Sequence, residues 1–233
     1  MKRHVYVIAA ALMLAVGLGV FFYPTLASWH NTNRQANIVE QYEQEAAALP
    51  ASYIEALIFR ATEVNQQLSQ RDPAANLYIG PAAILPEDYT EILSVSDVMG
   101  HLEIPVIDLN LPIFHTTEAD VLERGVGHLE GTSFPVGGES THAALTAHAA
   151  HPSSVLFSDL EGNVNIGDFF YINILGKRLA YQVDQINVVY PHEVESLRIV
   201  PGEDFVTLIT CTPSAINTHR LLVRGRRVLD EAN

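Results

Sequence analysis

A chain of 233 residues that is 48% hydrophobic and carries a formal net charge of −14 has the material for one substantial core plus an extension, and it is not a disordered polymer. Lys2 and Arg3 are the only basic residues before residue 31, whereas all 27 carboxylates lie beyond it. So acidic a body excludes a broad basic face of the kind that binds nucleic acid or an anionic membrane surface.

The amino terminus is short and basic (Lys2, Arg3, His4), and Tyr6 to Tyr23 follows without a charge. That run is at the lower end of what spans a bilayer. Its positive flank predicts an amino terminus held inside and a body exported to the far side. Thr25-Leu26-Ala27-Ser28 resembles a cleavage site, so a removed signal peptide competes with a retained anchor over residues 1–28. The length of the run and the Tyr23-Pro24 pair favour the anchor. No second apolar run of that length follows. Cys211 is the single cysteine, so an exported body forms no internal disulfide. The thiol is then a small buried hydrophobe, a partner-bonded group or a reactive one.

Residues 29–71 read as a helical extension. Ile38, Tyr42, Ala46 and Leu49 recur at helical spacing, and Pro50 interrupts them. Ser52 is placed to cap a second helix running to about Gln70, with Ile54, Leu57, Ile58, Ala61, Val64 and Leu68 on one face. Arg71-Asp72-Pro73 ends it. Residues 72–99 show no period and contain Pro73, Pro81 and Pro86, which reads as a long functional loop.

From residue 100 to 229 the texture is that of an all-β domain. Strands are expected over His101–Ile107, Leu111–His115, His142–Ala147, Phe169–Leu175, Leu179–Tyr190, Asp204–Cys211 and His219–Val228. Pro105 suggests an edge strand. Gly167-Asp168 and Gly176-Lys177 mark turns, the second a hairpin. Many short strands with few helices indicate a sandwich or closed barrel.

Along Asp204–Cys211, Phe205 and Ile209 fall on one face and Val206 and Leu208 on the other. Cys211 ends the strand before Thr212-Pro213. A nucleophile there is held by the sheet and still reaches open space. A seven-residue connection leads to the next strand, which brings Arg220 near Cys211. On spacing alone the surface-cation reading of Arg220 is the stronger one. His148 follows an apolar strand, but it is one of 10 histidines, and periodicity does not bring it to Cys211. His148 and His151 supply two metal ligands at most, so no metal site is expected.

Thr207-Leu208-Ile209-Thr210-Cys211-Thr212-Pro213 resembles the TLxTC signature of sortases. Ile216-Asn217-Thr218-His219-Arg220-Leu221-Leu222-Val223-Arg224-Gly225 resembles the pilin-polymerising class, class C. So do Gly125-Val126-Gly127-His128-Leu129-Glu130-Gly131-Thr132-Ser133 and Gly137-Gly138-Glu139-Ser140-Thr141-His142. Thr146-Ala147-His148 is similar to the family's T-G-H segment. The resemblance covers about residues 34–228. It implies a mostly β fold, an eight-stranded sortase barrel preceded by two helices and a membrane segment, with the catalytic domain on the extracellular side.

It also implies a Cys–His–Arg site of Cys211, His148 and Arg220, with Thr146 and Thr210 against the substrate and no cofactor. The implied reaction cleaves an LPxTG-like sorting signal of a surface or pilin protein between Thr and Gly. The threonyl carboxyl then joins an amine, a pilin lysine in class C. A cell-wall precursor amine, or water in a peptidase, are the alternative acceptors, and a non-catalytic binding barrel is the remaining reading. The sequence departs from class C in the lid. Asp72-Pro73 matches an Asp-Pro-aromatic anchor, but Ala74 replaces the aromatic, with Tyr78 as its candidate substitute. Ala149 stands where relatives often carry arginine. Many class C enzymes also have a carboxy-terminal span, for which the sequence shows no counterpart.

Overall fold

The structure, a computed structural model, describes residues 2–70, 85–149, 156–213 and 216–229. The lid positions Asp72, Pro73, Ala74 and Tyr78, and also His151, lie outside the described residues.

Helix α1 runs from Lys2 to Ala48 without a break, and α2 from Ala51 to Ser69. The expected anchor and first extension helix are thus one continuous rod. Its apolar half exposes Leu14, Val16, Val20 and Phe21, and among the described residues it is the one helix long and apolar enough to cross a membrane. Its later turns bury Val39, Tyr42 and Ala46 against the body. The Tyr42 hydroxyl donates to the Met99 carbonyl at 3.1 Å and accepts from the Leu175 N–H at 2.9 Å, which ties α1 to two parts of the sheet. Pro50, not Ser52, holds the N-cap position of α2, and no side chain caps it. The pyrrolidine φ already suits a helix start, and Ala51 is helical, so Ser52 falls inside the first turn. Asn65, buried on α2, exchanges two bonds with the Phe134 backbone, at 2.9 and 2.7 Å, and docks that helix.

The strands are β1 (Val98–Ile104), β2 (Leu109–Phe114), β3 (Val126–His128), β4 (Thr141–Thr146), β5 (Phe169–Ile174), β6 (Lys177–Val189), β7 (Asp204–Thr212) and β8 (His219–Val228). They close into a barrel in the order β1-β2-β3-β4-β7-β8-β6-β5, with β2–β3 and β4–β7 parallel and the other pairs antiparallel. Every strand has two neighbours, which corrects the edge reading of Pro105. That residue opens a 3₁₀ turn, Pro105–Ile107, after β1 has already ended. The β5–β6 hairpin closes through Leu175 and Gly176, both at positive φ, the two-residue turn that suits the twist of paired strands.

The structure departs from the expected elements at β1 and at β3. β1 begins at Val98, inside the segment read as loop, and Tyr89, Ile92, Leu93 and Val95 before it are buried in the core. The second half of the expected loop is therefore part of the body, and the Arg60–Asp88 pair at 2.7 Å fastens it to α2. β3 was not expected at all. It is three residues long, and a Cβ at Gly127 would run into the Thr116 carbonyl, so the strand is chosen for closeness of backbones and carries no alternating apolar signal.

Candidate active site

β7 places alternate side chains on opposite sides of the barrel wall. Val206 and Leu208 point into the main core at no more than 1% exposure, whereas Ile209 joins a separate outer cluster with Ala144, Leu197 and Leu222. Cys211 follows Ile209 by two residues, so it shares the outer face. It is half-buried. Its antiparallel partner across the β7–β8 ladder is Arg220 itself. The register fixed by eight residue pairs, from Phe205↔Arg226 to Thr212↔His219, leaves these two opposite one another.

On the other side of β7 runs β4, parallel to it, ending on the pair Thr146↔Ile209. Two residues further along each chain are His148 and Cys211. The chains stay together beyond the last pair. Ala147 N–H donates to the Ile209 carbonyl at 3.2 Å, and the Thr210 hydroxyl donates to the Ala147 carbonyl at 2.8 Å. His148, Cys211 and Arg220 thus stand at one level on three adjacent strands. No short-range pattern carried this. His148 and Cys211 are brought together by a parallel pairing across more than sixty residues.

Below that row the outer face forms a groove of about 410 Å³. Thr146, Ile209, Leu222 and Val189 line its floor, and Tyr190, Glu193 and Arg220 line its rim. The wall from Tyr190 to Leu197, including the 3₁₀ turn Glu195–Leu197, carries no motif and was not singled out from sequence. Pro191, directly after the last residue of the expected strand, was the available signal that the chain turns there. Arg220 donates through Nη1 to the carbonyls of Asn217 at 3.3 Å and His219 at 3.1 Å, so the loop before β8 orients its fork. The Glu193 carboxylate accepts from the Tyr190 N–H at 2.7 Å, which folds the rim back on itself.

Thr146 lines the groove, although its hydroxyl donates to the Ile209 carbonyl at 3.1 Å. Thr210 does not line it. At 2% exposure, it faces the barrel side of β7 and ties two strands through its bond to Ala147. Strand alternation is the reason, since a residue next to Cys211 must face away from it.

The other well-buried histidines are satisfied in ways that suit structure. His142 donates from Nδ1 to the Arg198 carbonyl at 2.9 Å and accepts at Nε2 from the Thr207 hydroxyl at 2.7 Å, and burial pushes its imidazole down to about 4. His128 donates from Nε2 to the Ser133 carbonyl at 2.9 Å and accepts at Nδ1 from the Tyr89 hydroxyl at 2.8 Å, and burial again lowers it to about 4. His115, bonded to the Ile92 carbonyl, is lowered for the same reason. A carbonyl partner only accepts, so each tautomer is fixed and each ring is neutral at pH 7. Among the described residues no three His, Cys, Asp or Glu side chains converge as metal ligands.

Comparison with known proteins bears on the same residues. Residues 102–228, which include the whole row, match the Sortase domain. Sortase A of Streptococcus agalactiae is 33% identical over 132 residues, 55% of this chain and 52% of that protein, so the chain spans about half the length of that relative. Sortase D of Bacillus subtilis is 24% identical over 96% of both chains. Among solved structures, sortase C1 of Streptococcus agalactiae superposes with a TM-score of 0.76 at 38% identity, covering 84% of this chain and all of that one. Sortase C of Streptococcus pneumoniae gives 0.74 at 39% identity over 83% and 97%. With the domain match spanning more than half of its length and class C enzymes as its structural neighbours, the chain belongs to the sortase family of cysteine transpeptidases.

Proposed function

We propose that this chain is a class C sortase that cleaves an LPxTG-like sorting signal between Thr and Gly and transfers the threonyl acyl group to a pilin lysine. The observation that carries the reading is the register row of His148, Cys211 and Arg220 at the end of an apolar groove. An extended peptide laid along Thr146, Ile209 and Leu222 would bring one carbonyl to Cys211.

The Cys211 thiolate attacks the threonyl carbonyl carbon, and the carbonyl π electrons move onto oxygen. Arg220, always protonated and planar, holds that developing oxyanion and the neighbouring backbone oxygen. On collapse the Thr–Gly C–N bond breaks, and His148 gives its proton to the leaving amine. A thioester remains on Cys211. The incoming lysine amine attacks it and passes a proton to His148. The C–S bond breaks, and thiolate and imidazolium are restored as an isopeptide bond forms. The apolar part of α1 spans the membrane, the basic residues Lys2 and Arg3 stay inside, and the barrel works outside.

Mass spectrometry of products from a sorting-signal peptide tests this. With a pilin-lysine peptide present, the expected product is the branched adduct. A product formed only with a cell-wall precursor amine would make the chain an anchoring enzyme, hydrolysis alone would make it a peptidase, and an intact peptide would overturn the reading.

A further inference from the structure

Behind the row, on the barrel side of β7, one short segment reaches both members of the Cys–His pair. Phe157 N–H donates to the His148 carbonyl at 3.0 Å. Four residues on, the Glu161 carboxylate accepts from the Thr212 hydroxyl at 2.8 Å. Thr212 is the residue after Cys211 and is 2% exposed. The segment is itself anchored, because Leu156, Phe157 and Leu160 are each at most 1% exposed. Just after Glu161, an otherwise exposed residue, the chain turns sharply, with Gly162 at φ 83°.

β4 and β7 both end at the reacting row, and beyond Thr146↔Ile209 no ladder fixes one against the other. The Ala147–Ile209 and Thr210–Ala147 bonds are two remaining constraints. The 156–161 segment supplies a third, gripping the backbone of His148 and the side chain next to Cys211 from a common rigid base. A bond from a hydroxyl to a carboxylate is charge-assisted and stronger than a neutral one. We propose that Glu161 is a positioning residue, which holds Thr212, and through it Cys211, at a fixed distance from His148. The proposal rests on Cys211 as the nucleophile and on His148 as its partner. It does not depend on which sorting signal or amine is used.

Two readouts test it on the full-length protein. The first is kcat and KM with a sorting-signal peptide. The second is the rate of alkylation of Cys211 by iodoacetamide from pH 5 to 9, which needs no substrate and is unambiguous because the chain has one cysteine. Glu161→Ala and Thr212→Val are each expected to lower kcat roughly 10-fold with KM within about twofold, since displacement of a reacting atom is felt in the chemical step. Both also alter the alkylation rate at pH 7. The double variant is expected to be no worse than either single one, as befits two halves of one bond. Glu161→Gln, whose amide oxygen still accepts, and Thr212→Ser, which keeps the hydroxyl, recover most of the loss and show that the fold is intact. Wild-type kcat and alkylation in Glu161→Ala would overturn the proposal. So would a Glu161→Gln variant as impaired as Glu161→Ala with a displaced alkylation profile, because charge and not the tie would then be responsible. A wild-type protein that alkylates normally but leaves the peptide intact would count against the proposed function alone, and the alkylation comparison would still decide the role of Glu161.

Discussion

The two faces of β7 share one backbone and meet different environments. The inner face carries Val206, Leu208, Thr210 and Thr212, all nearly sealed, the first two in the core and the last two bonded to Ala147 and Glu161. The outer face carries Phe205, Thr207, Ile209 and Cys211, and it passes from a ring under the Arg224 guanidinium to a groove floor and then to the thiol. A strand can hold a reactive group accurately because its other face is fixed. Apart from Thr212, whose bond to Glu161 is proposed to position Cys211, inner-face changes should therefore cost stability and outer-face changes should cost chemistry, and the cleanest way to break that division is to look for a further residue that violates it.

The largest effect should come from the outer face alone. Cys211→Ala is expected to abolish acyl transfer and leave the melting temperature within a few degrees of wild type. Residual turnover in the purified variant would end the assignment of Cys211. Next is Arg220→Lys. Lysine keeps the charge but loses the planar fork that meets two oxygens, and losing one transition-state donor of this sort costs roughly 10²–10³ in rate. Steady-state kinetics at near wild-type turnover would show that Arg220 contributes charge alone.

The same division explains what could be read from the sequence. The alternation of Phe205, Val206, Leu208 and Ile209 announced both faces, and Gly176-Lys177 announced a hairpin, whose turn is formed by Leu175 and Gly176, because these are local patterns of period two and of turn chemistry. The cysteine signature singled out Cys211 as the proposed nucleophile. What could not be read is whatever depends on pairing between distant segments. The parallel β4–β7 contact that carries His148 to Cys211 has no local period, and β3 is too short for one. Residues 85–97 looked like a loop because their burial comes from Tyr89, Ile92, Leu93 and Val95 at irregular spacing, under the cover of α2. Thr210 stands beside Cys211 in sequence but on the opposite face of the strand, a placement that the signature alone does not show.

On the inner face, Leu208→Ala is expected to destabilise the fold by about 2–5 kcal/mol, the usual range for a buried leucine, while the folded fraction keeps its alkylation rate at Cys211. Urea denaturation gives the first number and iodoacetamide labelling below the transition gives the second. A slowed labelling rate with unchanged stability would invert the comparison.

A pH dependence sharpens it further. His142 and His128 are held near 4 in the fold by burial, whereas an unfolded histidine titrates near 6.5. In that window the unfolded chain binds more protons, so the stability is fully present above about pH 6.5 and falls as the pH drops towards 4. The slope is at most about 1.4 kcal/mol per pH unit for each ring. Urea midpoints at pH 7 and pH 5 should differ accordingly, and His142→Gln should make the difference smaller. Equal midpoints would mean that the rings take up protons without leaving their sites.

The smallest effect is the most pointed, because it concerns a residue read from sequence as a substrate contact but buried on the inner face. Thr210→Val keeps the shape of the side chain and removes the hydroxyl that meets the Ala147 carbonyl at 2.8 Å. Leaving a buried carbonyl without its partner costs about 1–2 kcal/mol. For a chain of this size that corresponds to a melting temperature lower by roughly 2–8 °C. Because the valine points into the wall and away from the groove, KM for a sorting-signal peptide should not move. Turnover should fall only as far as the β4 end, with His148 just beyond it, loosens against β7. The decisive pattern is the opposite one. If KM rises severalfold while the melting temperature stays put, Thr210 reaches the peptide after all, and the two faces of β7 are less separate at the cysteine than along the rest of the strand.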